Sequence, residues 1–236
     1  MGQDFMIADT HFGADSILRY ENRPFAGVQE MDEALIQNWN RVVGEEDTVY
    51  VLGDFSSYGR EENEALLKRL KGTKILIMGN HDTGYSPEEW RKMGFLECSR
   101  WPILYEGFFL LSHEPLYINR NMPYANIYGH VHNNPSYRDA SSQSVCVSVE
   151  RIRYCPEAFK AIREKMRGSN ARAGMEIRVK NMPDSIFFTL IAELNLKFSS
   201  RFLRQRDACG MEISIKKQEC YRKFILFLLY LFGYML

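Results

Sequence analysis

Short apolar runs, each bounded by glycine or polar residues, recur through the first 150 residues of the chain. They are rich in Val, Ile, Leu, Phe and Tyr. Runs of this length and composition predict β-strands, several of them buried on both faces of a sheet. The predicted strands are Phe5–Ala8, Thr48–Leu52, Lys74–Met78, Phe108–Ser112, Ala125–Tyr128 and Val145–Val149.

Helical patterns separate the early strands and follow the last one. Over residues 28–43, apolar side chains recur at spacings of three and four, which is the pattern of one buried helix face. Ser86, Pro87 and Glu89 provide an N-cap, a proline at the first helical position and an acidic third position, which together predict a helix start. The predicted helices cover residues 28–43, 65–70, 87–92 and 156–166.

Strands that alternate with helices predict a layered α/β fold. In such folds ligand sites form where the loops leave the ends of the strands, because the loops converge there and the strands hold them rigid. Five polar residues each stand just after a predicted strand, namely Asp9, Asp54, Asn80, His113 and His130. We therefore expect these five side chains to meet at one edge of the fold.

The C-terminal third of the chain gives weaker signals. Gly168–Gly174 is small and polar, so we interpret it as a linker between a main domain, residues 1–168, and an unassigned C-terminal extension of uncertain structure, residues 169–236. Met175–Val179 alternates like a strand. Phe224–Leu236 is almost wholly apolar but only 13 residues long, too short to span a bilayer as a helix. We interpret it as a buried helix or a dimer contact, and the sequence leaves the oligomeric state open.

The charge distribution and the cysteine content indicate which partners and which cellular compartment to expect. The net charge is zero, but residues 1–168 carry 19 Lys and Arg against 24 Asp and Glu. An acidic main domain argues against nucleic acid as a partner, since a nucleic-acid footprint needs a basic face. The five cysteines are odd in number and lack Cys-x-x-Cys spacing. With no signal-peptide pattern at the N-terminus, they predict reduced thiols in a cytoplasmic protein.

All five histidines of the chain lie in short polar clusters at the ends of apolar runs. The clusters are Asp9-Thr10-His11, Gly53-Asp54, Gly79-Asn80-His81-Asp82, Ser112-His113 and Gly129-His130-Val131-His132. Carboxylate, imidazole and amide oxygen are ligands that divalent cations prefer. The inventory is large enough for two adjacent ions.

The candidate ligands can be divided between two ions. Asp54 can bridge both ions with its two oxygens, and Asp9, His11 and one histidine of the 129–132 cluster would complete the ligand set of the first ion. The ligand set of the second ion would be completed by Asn80, His113 and the other histidine of that cluster. Two ions about 3.5 to 4 Å apart can clamp a phosphoryl group and provide a bound hydroxide near neutral pH.

His81 is the one histidine that is not needed as a ligand of either ion. It follows the ligand Asn80 directly and has Asp82 beside it, so His81 with Asp82 is our candidate catalytic pair. The role that fits His81 is that of the general acid that protonates the leaving oxygen.

The ordered string Asp-x-His, Gly-Asp, Gly-Asn-His-Asp, a lone His after a strand, and Gly-His-x-His resembles the calcineurin-like metallophosphoesterase superfamily in its small, single-domain bacterial and phage form. The resemblance covers about Met6 to Met166 and implies a four-layer α/β/β/α sandwich with a dinuclear site. Manganese is the metal we expect first, with iron or zinc as alternatives. Close relatives often carry His at the position of Ala14, a difference that concerns substrate contacts.

By the same resemblance, each predicted ligand is assigned to an ion and His81 is the catalytic acid. One ion would be held by Asp9, His11, Asp54 and His132, and the other by Asp54, Asn80, His113 and His130. The implied substrate is a small phosphomonoester or phosphodiester.

Other interpretations of the same residues remain. A lone His such as His113 is more often structural than a ligand, Gly-Asn-His-Asp alone could form a turn, and Asp9 could cap the next segment. At the level of function, the alternatives are a non-catalytic protein-binding scaffold of the same fold and a nuclease. The retained ligands argue against the scaffold, and the acidic main domain argues against the nuclease.

Overall fold

The computed structural model describes residues 2–119, 121–138 and 140–180. The strands within these ranges are β1 (Asp4–Ile7), β2 (Thr48–Val51), β3 (Thr73–Ile77), β4 (Glu97–Ser99), β5 (Ile103–Tyr105), β6 (Phe109–Leu111), β7 (Ala125–Tyr128), β8 (Ser144–Cys146) and β9 (Glu157–Ala158). The helices are α1 (Asp15–Tyr20), α2 (Val28–Val42), α3 (Arg60–Arg69), α4 (Pro87–Met93) and α5 (Phe159–Lys180).

The strands form two sheets, and both are rich in parallel pairs. The first sheet has the order β4-β3-β2-β1-β9, in which β1 to β4 are parallel and β9 runs antiparallel to β1. The second has the order β5-β6-β7-β8, with β6, β7 and β8 parallel. Because parallel neighbours end at the same edge, the loops after β1, β2 and β3 emerge side by side, as do those after β6 and β7.

Backbone hydrogen bonds join the two sheets at that edge. Ala8, just beyond β1, donates its N–H to the carbonyl of Val147 at 2.9 Å and accepts from the N–H of Val149 at 3.1 Å. The chain after β1 is thus tied to the chain after β8. These hydrogen bonds bring the loops that follow the strands of both sheets into one region.

Among the described residues, one large hydrophobic core cluster holds the sheets and helices together. Side chains of both sheets belong to it, among them Ile7, Leu76 and Ile127. On α2 the buried face includes Leu35 and Trp39, as the spacing of apolar residues predicted. Burial of each such side chain contributes about 1.5 to 3 kcal/mol, so the core is a rigid base for the loops at the sheet edge.

The predicted α/β fold of sheets flanked by helices is confirmed, and all six predicted strands are present. Five of them agree within one residue at each end, whereas β8 ends at Cys146, three residues before the predicted end at Val149. The helix start at Ser86 is also confirmed, because its side chain accepts a hydrogen bond from the Glu89 N–H and forms a capping box. Strands β4, β5 and β9 and the short helix α1 were not predicted. Each has six residues or fewer, too few to display a period.

Helix α5 differs from the prediction. It continues to Lys180, so residues 168–174, which we interpreted as a linker, are helical, and Met175–Val179 is not a strand. Two glycines in this stretch cost about 1 kcal/mol each, but the surrounding Ala, Arg, Met, Glu and Lys residues favour a helix. A compact unit spans Met1–Asn170. The domain boundary at 168/169 stays a prediction.

Within the described ranges, no helix has the length and hydrophobicity needed to cross a membrane. The apolar run Phe224–Leu236 lies outside those ranges.

We expect a shortened chain that ends at Arg167 to fold and bind metal like the full chain, because the described strands and the α5 residues described as buried precede this point. Phe159, Ile162 and Met166 are buried in the core. A chain ended at Cys155 lacks all three and should not fold, since their burial accounts for several kcal/mol of a typical stability of about 5 to 15 kcal/mol. Thermal melts and metal content of both chains test this. Insolubility of the longer one would place residues beyond 167 in the core.

Candidate metal centre

The predicted ligands lie together at the edge where the two sheets are joined. Asp9, Asp54 and Asn80 follow β1, β2 and β3 of the first sheet, whereas His113 and His130 follow β6 and β7 of the second. Asp9, Asp54 and His113 are buried, while Asn80 and His130 are exposed. The centre therefore has a buried floor and a side open to solvent.

The loops that carry the ligands have an unusual backbone. Nine described residues other than glycine have a positive φ, and five of them are predicted ligands: Asp9 (58°), His11 (49°), Asp54 (54°), His130 (67°) and His132 (45°). This conformation costs about 1 to 3 kcal/mol at such residues and persists only where the surroundings impose it. Hydrogen bonds between the loops do so here, for example from the His11 N–H to the Asp54 carbonyl at 3.0 Å.

The glycines that precede three of the ligands are required by close packing. A Cβ at Gly53 would lie 2.3 Å from Nδ1 of His113, and one at Gly79 would lie 2.3 Å from Oδ1 of Asp54. At Gly129 it would lie 2.4 Å from the Cβ of Ala8. Any side chain at these positions would displace a ligand or separate the sheets. The Gly-Asp, Gly-Asn and Gly-His pairs thus have a steric cause.

One group of potential ligands consists of Asp9, His11 and His132, whose donor atoms all lie within 4.8 Å of one another. The Asp9 carboxylate accepts the N–H of His130 at 2.9 Å. Burial raises the pKa of Asp9, while His132 and His113 act in the opposite direction. Burial also lowers the pKa of His11 to about 3, so its ring is neutral and can offer a lone pair.

A second group consists of Asp54, His113 and His130, again with donor atoms within 4.8 Å. Asn80 belongs with it, because its Oδ1 lies 2.9 Å from Nε2 of His113 and 3.1 Å from Nδ1 of His130. Nδ1 of His113 lies 2.9 Å from the Leu52 carbonyl. A carbonyl only accepts, so Nδ1 carries the proton and Nε2 faces the group.

Asp54 connects the two groups. Its Oδ2 lies 3.5 Å from Nε2 of His11 and 3.4 Å from Nε2 of His113. Its Oδ1 accepts the N–H of His81 at 2.9 Å. Burial opposes ionisation, but the hydrogen bond and charge of His113, together with the His81 N–H and His11, lower the pKa of Asp54 to about 2. Asp54 is therefore an anion between two sets of nitrogen and oxygen donors.

The chemistry of these donors fits divalent cations. Nε2 of His11 is buried and has no hydrogen-bond partner among the described residues. Nε2 of His113 faces three further electron-pair donors, of which Nδ1 of His130 is 3.1 Å away. Such an arrangement is repulsive unless a proton or a metal cation lies among these atoms. A proton can do so: burial lowers the pKa of His113, but Asp54 and Asp9 outweigh burial and raise it to about 9. The same carboxylates favour a metal ion.

His81 lies beside the first group on the open side. Its side chain is exposed, and its ring is edge-on to that of His11 with 5.2 Å between the centroids. Because its backbone N–H is bonded to Asp54, the position of His81 is set by a predicted ligand. The ring therefore lies on the solvent-facing side of the centre.

Asp82, the other half of the predicted catalytic pair, is buried behind the centre. Its carboxylate accepts three backbone N–H groups, those of Asp54 at 2.7 Å, Phe55 at 2.9 Å and Gly79 at 2.8 Å. Burial raises the pKa of Asp82 to about 6, against these hydrogen bonds. The contacts described for this carboxylate are with the backbone and not with the His81 ring. Through these hydrogen bonds, the Asp82 carboxylate links the loop after β2 to the loop after β3.

Two pairs of residues that support the centre were not predicted. Arg23 and Glu150 form a buried ion pair with 2.7 Å between Nη2 and Oε1. Tyr58 donates to Asp32 at 2.6 Å, and Asp32 also accepts the N–H of Gly13. Glu150 directly follows the predicted strand Val145–Val149, and this position after a strand is the same signal that marked the predicted ligands. Asp32, Tyr58 and Arg23 had no such signal.

Comparisons with known proteins identify chains of similar sequence. The chain is 36% identical over 170 residues to the uncharacterised protein MJ1445 of Methanocaldococcus jannaschii, covering 69% of this chain and 90% of that one. It is 35% identical over 85 residues to the Gene 66 protein of Mycobacterium phage L5, covering 35% of this chain and 41% of that protein.

Among solved structures, the chain resembles the protein of unknown function AQ665 from Aquifex aeolicus, with a TM-score of 0.55 and 28% identity. The match covers 70% of this chain and 99% of the other. The family model described as calcineurin-like phosphoesterase matches residues 5–156. With the ligand clusters at the sheet edge, this match places the chain in the calcineurin-like phosphoesterase family.

Proposed function

We propose that the protein hydrolyses a small phosphomonoester or phosphodiester with two divalent cations. The observation that carries the proposal is the position of Asp54, whose one oxygen lies between the nitrogen donors of His11 and His113. We assign Asp9, His11, Asp54 and His132 to one ion, and Asp54, Asn80, His113 and His130 to the other. Manganese is the metal that we expect first, before iron or zinc.

When bound, two such ions would neutralise charge on the phosphoryl oxygens and lower the pKa of a coordinated water molecule. The protein holds the ligand atoms in place before substrate arrives. The Leu52 carbonyl orients His113, and the backbone N–H of His130 orients the Asp9 carboxylate. Ligands fixed in this way lose little entropy on binding and need little rearrangement during the reaction.

His81 is proposed to protonate the leaving oxygen. Its exposed ring, next to His11, can reach a substrate on the open side, and its backbone is anchored to Asp54. A general acid must reach hydrogen-bond distance of the atom that it protonates. For Asp82 we propose a positioning role in place of direct contact with substrate, because its carboxylate is engaged by three backbone N–H groups.

The partner is then a small phosphate ester, and we place the protein in the cytoplasm. The described cysteines, Cys98, Cys146 and Cys155, are free thiols. This is the state expected in a reducing compartment.

A substrate screen of the manganese-loaded full chain tests the proposal. The substrates are phosphomonoesters, linear and cyclic phosphodiesters, and single- and double-stranded DNA, and an Asp54→Asn chain purified in the same way excludes a contaminating phosphatase. Hydrolysis of small esters by the wild-type chain alone supports the proposal. Degradation of DNA in preference to small esters would show instead that the protein is a nuclease. Two bound metals without hydrolysis of any substrate would favour the non-catalytic scaffold.

A further inference from the structure

We propose that Arg23 and Glu150 are positioning residues that set the geometry of the ion held by Asp9, His11 and His132. This inference rests on the proposed function, since it concerns the same centre. It assigns a role to two residues that are not ligands. Both are buried, with 0% of the Arg23 side chain and 4% of the Glu150 side chain exposed.

Arg23 holds the backbone of the first ligand loop. Its Nη2 donates to the Asp9 carbonyl at 2.7 Å, and its Nη1 donates to the Thr10 carbonyl at 2.8 Å. These two carbonyls flank the start of the loop in which Asp9 and His11 have a left-handed backbone. A guanidinium can satisfy both because its donors have a fixed planar arrangement. Arg23 thereby stabilises a conformation that would otherwise relax.

Glu150 links Arg23 to His132, a predicted ligand that follows a strand of the other sheet. Its Oε1 accepts from Nε of Arg23 at 2.9 Å and lies 3.2 Å from Nδ1 of His132. A carboxylate that accepts from Nδ1 leaves Nε2 of His132 as the nitrogen with a free lone pair. The His132 ring is also stacked on the His11 ring, with 5.3 Å between the centroids. The nitrogen available to the metal is thus determined by Glu150.

The pair spans the two sheets. Asp9 follows β1 of the first sheet, and His132 follows β7 of the second. The relative position of these two predicted ligands therefore has to be fixed by contacts between the sheets. Arg23 contacts the backbone at one ligand and Glu150 contacts the ring of the other. Because the two charges compensate each other, the pair adds no net charge and leaves Asp9 and Asp54 as the anions that attract cations. A buried ion pair contributes little to stability by itself, which agrees with a positioning role.

The test compares four variants of the full chain. Glu150→Leu should weaken binding of one metal equivalent by about 10- to 100-fold, because His132 loses the partner of Nδ1. Glu150→Gln keeps an acceptor oxygen at this position and should remain within about tenfold of wild type. The double variant Arg23→Met with Glu150→Leu removes both charges, so it should fold, yet still bind that equivalent weakly. The matched control is Glu33→Leu, which breaks an exposed pair with Arg69.

Two measurements without substrate decide the outcome. Calorimetric titration with Mn²⁺ gives the affinity of each equivalent, and ¹⁵N NMR of the His132 ring in the apo protein reports which nitrogen carries the proton. We expect protonated Nδ1 in wild type and a mixture of tautomers in Glu150→Leu. Wild-type affinity in the double variant, or an unchanged His132 tautomer in Glu150→Leu, would overturn the inference. Failure of the proposed function would look different: the wild-type chain would bind metal and hydrolyse nothing.

Discussion

Replacement of Asp54 by Asn should lower turnover on the order of 10³-fold or more, because the two ions that Asp54 is proposed to hold would supply several kcal/mol of charge stabilisation in the transition state. Asp54 Oδ2 lies within 3.5 Å of imidazole nitrogens from both ligand groups. With the pKa of Asp54 lowered to about 2, the wild-type residue is an anion at any working pH. An amide has the same shape but no charge, and it cannot bridge two cations as a carboxylate does.

The measurement is kcat/KM on an ester identified by the screen, with metal content determined on the same sample. Asn can still accept the His81 N–H through Oδ1, so the loop conformation should survive. Asp47→Asn is the matched control, because Asp47 also caps backbone N–H groups, those of Gln3 and Gly44, but lies in an exposed loop. Full activity of Asp54→Asn with two metals per chain would refute the bridging assignment.

The sequence could predict that the candidate ligands lie together, because the signal for their position is local. Five of the seven predicted ligands stand within two residues of the end of an apolar run, and His11 and His132 come two residues after Asp9 and His130. The carboxyl ends of parallel strands lie at one edge of a sheet. The preceding glycines added a second local signal, whose steric cause became visible only in the structure. A Cβ at Gly53 would strike His113, which is 60 residues away along the chain. No periodicity encodes a contact of that range.

Arg23, Asp32 and Tyr58 were missed for the same reason. Arg23 contacts Glu150 across 127 positions of the chain, and Tyr58 contacts Asp32 from a loop. Their side chains are buried or partly buried polar groups, and the fold rather than the neighbouring sequence determines which partners they contact. Asp82 is a different case. Adjacency to His81 suggested a catalytic pair, but successive residues of a loop direct their side chains to different places, and this carboxylate caps backbone N–H groups behind the centre.

Replacement of His81 by Ala should lower the rate while leaving metal content near that of wild type. The His81 ring is exposed beside His11 and belongs to neither group of converging donor atoms. If its role is to protonate the leaving oxygen, the loss should be about 10²- to 10⁴-fold for a substrate that needs this proton. An alkoxide is too basic to leave without a proton, whereas p-nitrophenolate is stable as an anion. The loss should therefore be large for alkyl esters and small for p-nitrophenyl esters.

The comparison of the two ester types separates proton donation from every other role of His81. A residue that bound the phosphoryl group or held an ion would affect both substrates alike, because the phosphoryl group and the metal ligands are the same in both reactions. The measurement is kcat/KM of wild type and His81→Ala on matched alkyl and p-nitrophenyl esters, with bound metal quantified in each sample. Thr83→Ala, an exposed position two residues away, controls for a general disturbance of this loop. Equal losses on both esters, or the loss of one metal equivalent, would assign His81 to positioning the phosphate or the ions. The phosphoesterase proposal would survive that result, since it rests on Asp54 and the ligands around it.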